Sequence, residues 1–214
     1  METTRYVVGC LLVIGLPPGL AWWFVIHPFV GFWRRIGVRS TLAIVIVLAL
    51  LMVLGLYRVR DALLGSDLGT SGVTITVAGI LLCATTFIAL QRRKLLTTRI
   101  LAGAPELEKG GRGGTLITEG PYARCRNPRY VEVILGVFAY AFFSNYLGAY
   151  AVALLSVPVV HMIVLLEERE LRDRFGAEYE AYLARVPRYL PRRRPAEAPG
   201  PGRGARARSA PPGS

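Results

Sequence analysis

Four long stretches of this sequence contain no Asp, Glu, Lys or Arg, and they cover residues 6–33, 40–57, 68–91 and 133–166. Because about 20 apolar residues in a helix cross a hydrocarbon core of ~30 Å, each of the first three stretches can supply one membrane span. The fourth stretch has 34 residues, which is too long for one span and short for two. Ser144, Asn145 and Gly148 interrupt it at its middle and predict a tight helical hairpin. The sequence therefore predicts an all-α integral membrane protein with about five transmembrane helices.

The first stretch is expected to remain in the protein as a membrane span. It is longer than the apolar core of a signal peptide, and its opening charge is weak, with Arg5 set against Glu2. The pair Pro17-Pro18 inside the stretch predicts a kink or a break of the helix rather than a cleavage site.

The connecting segments differ in their content of Lys and Arg. Nine basic residues lie in 92–129 and eleven lie in 169–214, whereas the hairpin turn has none. Because cytoplasmic loops are enriched in Lys and Arg, this pattern predicts a multi-pass cell-membrane protein with its N-terminus outside and its C-terminus in the cytoplasm. The same bias explains most of the net charge of +12, so no nucleic-acid partner is needed. We expect the basic face to meet anionic lipid head groups.

Composition divides the chain into three parts. Residues 1–91 are expected to form a scaffold of three transmembrane helices. Residues 92–191 combine a Gly-rich charged loop, the hairpin and a charged amphipathic helix that is predicted from about residue 167 to residue 184. Residues 192–214 are dominated by Pro, Gly, Ala and Arg, a composition that predicts a disordered basic tail.

Two polar clusters flank the predicted hairpin on its cytoplasmic side. In the first, Gly120-Pro121 and Asn127-Pro128 each impose a turn, and backbone N–H groups beside the following helix start could hold a carboxylate. The segment could equally serve only to cap that helix. The second cluster is the pair Glu167-Glu168, which is either a ligand site or a solvated membrane exit paired with nearby arginines.

Glu132 and His161 lie within the hairpin itself. Ionisable residues at such depths usually serve function, so both are candidate substrate contacts, although His161 could equally be a packing residue. The cysteines match no metal-ligand spacing, and no metal site is predicted from them: Cys10, Cys83 and Cys125.

Several short motifs of the second half of the chain resemble the isoprenylcysteine carboxyl methyltransferase family and the related phospholipid methyltransferases. They are Gly120-Pro121-Tyr122, Arg126-Asn127-Pro128-Arg129-Tyr130, Glu167-Glu168, Phe175-Gly176 and Val186-Pro187-Arg188. The resemblance covers roughly residues 114–191, with the motifs in the family's order and spacing around a hairpin. It implies a membrane-embedded enzyme that uses S-adenosylmethionine to methylate a lipophilic small molecule or lipid.

The resemblance also implies where the cofactor binds. Backbone groups of residues 114–117 would line it, Tyr122 would pack against it, and Glu167 would hold its amino group or its ribose hydroxyls. The complete set of implied cofactor-binding residues is Gly114, Thr115, Leu116, Ile117, Tyr122, Arg126, Asn127, Pro128, Tyr130, Glu167 and Glu168. No residue is assigned to acid–base catalysis, because positioning and desolvation can supply most of the acceleration of a methyl transfer.

Three residues or segments depart from the family pattern. Asn127 stands where many members have histidine, Glu132 stands where a small residue is common, and residues 162–166 lack the arginine that precedes the glutamate pair in the eukaryotic enzymes. These departures favour an oily acceptor other than a prenylcysteine carboxylate. Two alternatives stay open: a sterol-reductase-like membrane reductase that uses NADPH, and a non-catalytic membrane protein that has kept the fold.

Overall fold

The computed structural model describes residues 1–26, 28–93 and 115–190, and these parts of the chain are mostly helical. Its helices are α1 (Glu2–Ile26), α2 (Val30–Ile36), α3 (Val38–Arg58), α4 (Arg60–Leu64), α5 (Gly72–Arg93), a 3-10 helix (Gly120–Ala123), α6 (Pro128–Ser144), α7 (Leu147–Phe175) and α8 (Ala177–Arg185). The predicted tail, the Gly-rich loop and Gly114 lie outside the described residues.

Helices α1, α3, α5 and α7 are long and apolar enough to cross a membrane. Helix α6 has 17 residues and spans only about 25 Å at 1.5 Å per residue, which is short of a ~30 Å hydrocarbon core. The described residues therefore contain four helices of spanning length, where the sequence predicted about five. The all-α membrane fold is confirmed.

The predicted hairpin is formed by α6 and α7. Its turn lies at Asn145, which adopts the left-handed conformation with φ of 55° and donates its N–H to the carbonyl of Ala141. Asparagine tolerates this conformation better than most residues, which explains why the long apolar stretch breaks here. The side chain of Asn145 also donates to the carbonyl of Gly69 at 2.9 Å and so ties the turn to the segment before α5.

Helix α7 runs unbroken from the hairpin turn to Phe175, so the prediction of a separate helix beginning near residue 167 is wrong. The break comes at Gly176, whose φ of 53° lies in the left-handed region that favours glycine, and the short α8 follows. Glu167 and Glu168 consequently lie inside a helix, away from the unfavourable dipole at a helix C-terminus. Pro17 and Pro18 likewise lie within α1 without breaking it.

The core of the bundle is the contact between α1, α6 and α7. Leu12 and Val137 pack there against Ala141, Ala149 and Ala153, which are fully or almost fully buried. Alanines allow helix backbones to approach closely, as is common where helices pack in a membrane. Helix α5 packs on α6, and α3 packs on α1, with most of their apolar side chains exposed.

One end of the bundle, which we call the turn end, holds the start of α1, the connection before α5 and the hairpin turn. The buried Arg5 fastens these parts together: it donates to the carbonyl of Ser144 and to Thr70 Oγ1, both at 3.1 Å, and pairs with Asp67. The opposite, polar end holds Arg92, residues 115–128 and the last turns of α7. The side of the membrane that each end faces stays a prediction.

Candidate functional site

The polar end is shaped by two turns that the sequence predicted. Gly120 and Pro121 form the start of the 3-10 helix, and after its end the N–H of Cys125 donates to the carbonyl of Pro121 at 3.0 Å. Asn127 precedes α6, and Pro128 fills the first helical position, where a missing N–H costs nothing. Both dipeptides therefore shape the backbone as the pattern indicated.

Residues 186–190, which we call the C-terminal segment, lie along this shaped backbone. The N–H of Arg126 donates to the carbonyl of Pro187 at 2.9 Å, and the N–H of Asn127 donates to that of Arg188 at 3.2 Å. The hydroxyl of Tyr182, in α8, donates to the carbonyl of Tyr122 at 2.7 Å. Helix α8 and the C-terminal segment thus hold residues 122–127 in place.

Glu168 joins these elements to α7 through its buried side chain, which is 2% exposed. Its Oε1 accepts hydrogen bonds from Asn127 Nδ2 at 3.0 Å and from Arg126 Nη2 at 3.2 Å. Its Oε2 accepts one from Arg188 Nη2 at 2.8 Å. We call these four residues the Glu168 network. They fix the two turns against α7, and sequence reasoning gave Arg188 no role in this.

The remaining guanidinium nitrogen of Arg126 is also engaged within the protein. Its Nη1 donates to the carbonyls of Val186 at 2.8 Å and Leu183 at 3.1 Å. Arg126, Asn127 and Glu168 therefore bind one another and the C-terminal segment, and their contact with a cofactor stays a prediction. One sequence signal could have revealed the network. Glu168 follows a long apolar span, and two arginines, Arg126 and Arg188, each lie beside a Pro-containing turn.

Glu167 is one helical position earlier and points elsewhere. Its Oε2 is buried and has no hydrogen-bond partner among the described residues. Burial raises the pKa of the Tyr122 phenol to about 12, and the neighbouring negative charge of Glu167 adds to the rise, while Arg92 and Arg129 oppose it. The phenol therefore stays protonated at neutral pH and can donate a hydrogen bond or offer its ring, but it cannot act as a general base.

A second buried ion pair, Arg92–Glu132, also lies at the polar end. Arg92, in the last turn of α5, donates from Nε to Glu132 Oε2 at 2.9 Å and from Nη2 to Glu132 Oε1 at 3.0 Å. Both side chains are largely buried, and Arg92 Nη1 is buried without a partner among the described residues. The sequence predicts Glu132 as a candidate substrate contact and indicates Arg92 only as one of the basic residues of segment 92–129. The sequence held one signal for this ion pair: Glu132 is a carboxylate within the hairpin, and Arg92 directly follows the third apolar stretch.

His161 lies apart from Glu167, on the exposed side of α7. Its Nδ1 is 2.6 Å from the hydroxyl of Tyr189, and the neighbouring Met162 lines a groove between α1 and α7. The groove has a volume of about 430 Å³ and walls that are almost entirely apolar, among them Leu20 and Val159. Leu20 and Val159 also pack on the cluster formed by Val160, Ile163, Val164 and the buried Tyr130. The groove therefore runs beside the core of the polar end.

The other predicted cofactor residues fall into different environments. Thr115 is exposed and Ile117 is partly buried, whereas Leu116 packs against the cluster of Tyr179, Tyr182 and Val186. Pro128 is buried at the start of α6. These positions are compatible with structural roles as well, and their contact with a cofactor stays a prediction.

Comparison with known proteins identifies the family of this membrane bundle and its buried polar end. Residues 68–178 match the model of the phospholipid methyltransferase family, which is more than half of the chain. The chain belongs to the phospholipid methyltransferase family. The matched region includes α5, the two turns, the hairpin and both glutamates.

Two curated proteins are similar to this chain. The cobalt-zinc-cadmium resistance protein CzcN of Cupriavidus metallidurans is 34% identical over 84 residues, which cover 39% of this chain and 38% of CzcN. The nickel-cobalt-cadmium resistance protein NccN of Alcaligenes xylosoxydans xylosoxydans is 27% identical over 163 residues, which cover 74% of this chain and 65% of NccN. The chain thus spans less than two thirds of each relative. No solved structure matches it.

Proposed function

We propose that this protein uses S-adenosylmethionine to methylate a lipophilic acceptor at the polar end of the bundle. The observation that carries the proposal is the buried Oε2 of Glu167, which lies near Tyr122 and has no hydrogen-bond partner in the described part of the chain. Leaving a buried acceptor without a hydrogen bond costs about 1–3 kcal/mol, so a ligand that supplies a donor here is favoured. The cofactor carries an ammonium group and a sulfonium, and a carboxylate binds such cations through charge-assisted hydrogen bonds.

The residues of the site then have separate roles. Glu167 holds the ammonium group or the ribose hydroxyls, and the ring of Tyr122 packs against the sulfonium through a cation–π contact of ~0.5–2 kcal/mol. Residues 115–117 line the site with backbone groups. When bound, the cofactor supplies an activated methyl group. The protein contributes orientation, which can lower a barrier by up to about 7–11 kcal/mol, and a dry surrounding.

The groove between α1 and α7 supports the proposal that the acceptor is lipophilic. Its volume of about 430 Å³ matches that of ordinary ligand pockets, which measure about 300–1,000 Å³. Its apolar walls suit a hydrocarbon chain, and its residues Leu20 and Val159 contact the core of the polar end. An acceptor that lay in the groove would be anchored by its chain and could present its polar group near the site.

We further propose that the polar end faces the cytoplasm. Cytoplasmic loops are rich in Lys and Arg, and most basic residues of this chain lie in the sequence segments 92–129 and 169–214, whose described residues belong to the polar end. Arg129 lies over the ring of Trp23 with its guanidinium carbon 4.2 Å from the ring centre. A Trp–Arg pair of this kind is typical of a membrane interface with anionic head groups. The cofactor would then reach the site from the cytoplasm.

Direct binding tests the proposed function. Purified protein in detergent is titrated with S-adenosylmethionine in a calorimeter, and NADPH serves as the parallel ligand. We expect saturable binding of S-adenosylmethionine alone. We also expect Glu167→Gln to abolish that binding, whereas Glu178→Gln, which changes an exposed carboxylate on α8, should leave it intact.

Two results would contradict the proposal. If NADPH binds and S-adenosylmethionine does not, the protein is a reductase. If folded Glu167→Gln protein binds S-adenosylmethionine as the unchanged protein does, the site has been placed wrongly.

A further inference from the structure

We propose that Arg92 is a cofactor-binding residue: its Nη1 binds the carboxylate of the methionine portion of S-adenosylmethionine, and Glu132 is the residue that positions it. This inference rests on the proposed function and extends it to a residue pair that lies outside the family motifs quoted above. The cofactor has one anionic group, and the question is which cation of the polar end receives it.

Arg126 was the sequence-based candidate, but its guanidinium is engaged elsewhere. All three of its nitrogens donate to Glu168 or to the backbone carbonyls of Leu183 and Val186. Arg188 is similarly bound to Glu168 through Nε and Nη2. Releasing either arginine for a ligand would remove part of the compensation of the buried Glu168 carboxylate, which is unfavourable.

Among the described residues, Arg92 has a buried guanidinium nitrogen without a hydrogen bond, which neither Arg126 nor Arg188 has. Two of its nitrogens are held by the two oxygens of Glu132, so the plane of the guanidinium is fixed. The third nitrogen, Nη1, is buried and has no partner among the described residues, and the whole residue is 7% exposed. Because the guanidinium fork is rigid, fixing two nitrogens also fixes the direction of the third. A preorganised, desolvated donor of this kind suits a carboxylate.

The position of Arg92 relative to Glu167 fits the same ligand. The last turns of α5 pack against the 3-10 helix that carries Tyr122. The charges of Arg92 and Glu167 both act on the Tyr122 hydroxyl, with opposite signs. Tyr122 therefore lies within electrostatic range of a cation and an anion, and each of these has a buried atom without a hydrogen-bond partner among the described residues. An α-amino acid group, with an ammonium and a carboxylate on one carbon, complements this arrangement.

The test compares S-adenosylmethionine with its decarboxylated analogue, which keeps the sulfonium, the amine and the nucleoside but lacks the carboxylate. Calorimetric titrations give the ratio of the two dissociation constants for each protein. We expect the unchanged protein to prefer S-adenosylmethionine by on the order of 10–100-fold, the range of one charge-assisted hydrogen bond. Arg92→Gln should bring the ratio close to one, because it should weaken the binding of S-adenosylmethionine and leave the binding of the decarboxylated analogue unchanged.

Matched variants separate binding from folding. Arg93→Gln changes the exposed neighbouring arginine and should keep the full preference. Arg92→Gln leaves Glu132 buried without its cation, so the double variant Arg92→Gln/Glu132→Gln removes both charges and protects the fold. It should also show a ratio near one. Glu132→Gln alone should lower the preference partly, because Arg92 is present but loosely held. Glu132→Asp keeps the carboxylate, so its preference should lie between those of Glu132→Gln and the unchanged protein.

Each outcome decides the inference. A preference that disappears with Arg92 and survives in Arg93→Gln supports it. No preference in the unchanged protein, or an undiminished preference in the double variant, overturns it while the proposed function stands. If Arg92→Gln leaves both dissociation constants unchanged but lowers methyl transfer to a carboxylated lipid, the arginine binds the acceptor and the inference is wrong. If neither ligand binds the unchanged protein, the proposed function fails as well.

Discussion

Replacing Glu168 by glutamine removes the carboxylate that Arg126 and Arg188 share, and the consequences can be worked out from the structure. The oxygen of the new amide can still accept from Asn127 Nδ2, but the amide N–H₂ group would face guanidinium donors. Removing one partner of a buried ion pair costs about 3–5 kcal/mol. The side chain of Arg188 is 33% exposed and partly hydrated, so we expect the lower end, about 3 kcal/mol.

This loss should be visible in global and in local stability. For a chain of 150–250 residues, 1 kcal/mol shifts the thermal midpoint by about 2–4 °C, so Glu168→Gln should lower it by about 6–12 °C. Cys125 gives a local readout because it is buried, with its Sγ 3.3 Å from the carbonyl of Arg188. Burial also raises the pKa of the Cys125 thiol, so it reacts slowly while the C-terminal segment is in place.

The assay is thiol labelling in detergent, in a background where Cys10 and Cys83 are changed to serine. If labelling requires local opening, a loss of about 3 kcal/mol should accelerate it by roughly 150-fold. Glu167→Gln is the matched control: it should label slowly and unfold at the original temperature, yet bind S-adenosylmethionine poorly. Equal midpoints and equal labelling rates for the two variants would refute the separation of a structural from a ligand-binding carboxylate.

Three further predictions concern other parts of the protein. Gly148→Ala should cost about 3 kcal/mol in thermal unfolding, because a Cβ there would overlap the backbone carbonyl of Leu63, whereas Gly79→Ala, with open space, should be harmless. Arg5→Met should cost about 2 kcal/mol and speed proteolysis of the turn end, since a buried guanidinium that joins three segments is lost. The pKa of Tyr122 rises from 10.0 to about 12 on folding. Between pH 10 and 12 the folded state therefore binds more protons than the unfolded state, so the free energy of unfolding should fall as the pH rises through this range. The fall should be smaller in Tyr122→Phe. Thermal midpoints measured at each pH would show the difference.

The sequence alone determined the fold class and the position of the hairpin. A stretch without charges that is long enough to cross the bilayer is a local property of the sequence. Such a stretch must form a helix in the hydrocarbon core, because only a helix satisfies its own backbone hydrogen bonds there, so the long apolar helices could be predicted. The hairpin turn followed from a polar interruption that includes Asn145, whose left-handed conformation the structure shows. The exact length of α6 did not follow, because Pro128 and Asn145 set its two ends by backbone geometry, and hydropathy does not report backbone geometry.

Only the tertiary structure separated the two glutamates of the predicted site. Adjacent residues on a helix point about 100° apart, so Glu167 and Glu168 meet different neighbours although their motif is one unit in the sequence. Glu168 meets Arg188 across 20 residues, and Arg92 meets Glu132 across 40. Such pairs form because helix packing excludes water and leaves buried charges no other compensation. No periodicity or spacing along the chain carries that information, which is why the charges of the Glu168 network and the charges proposed to face the ligand could be told apart only after folding.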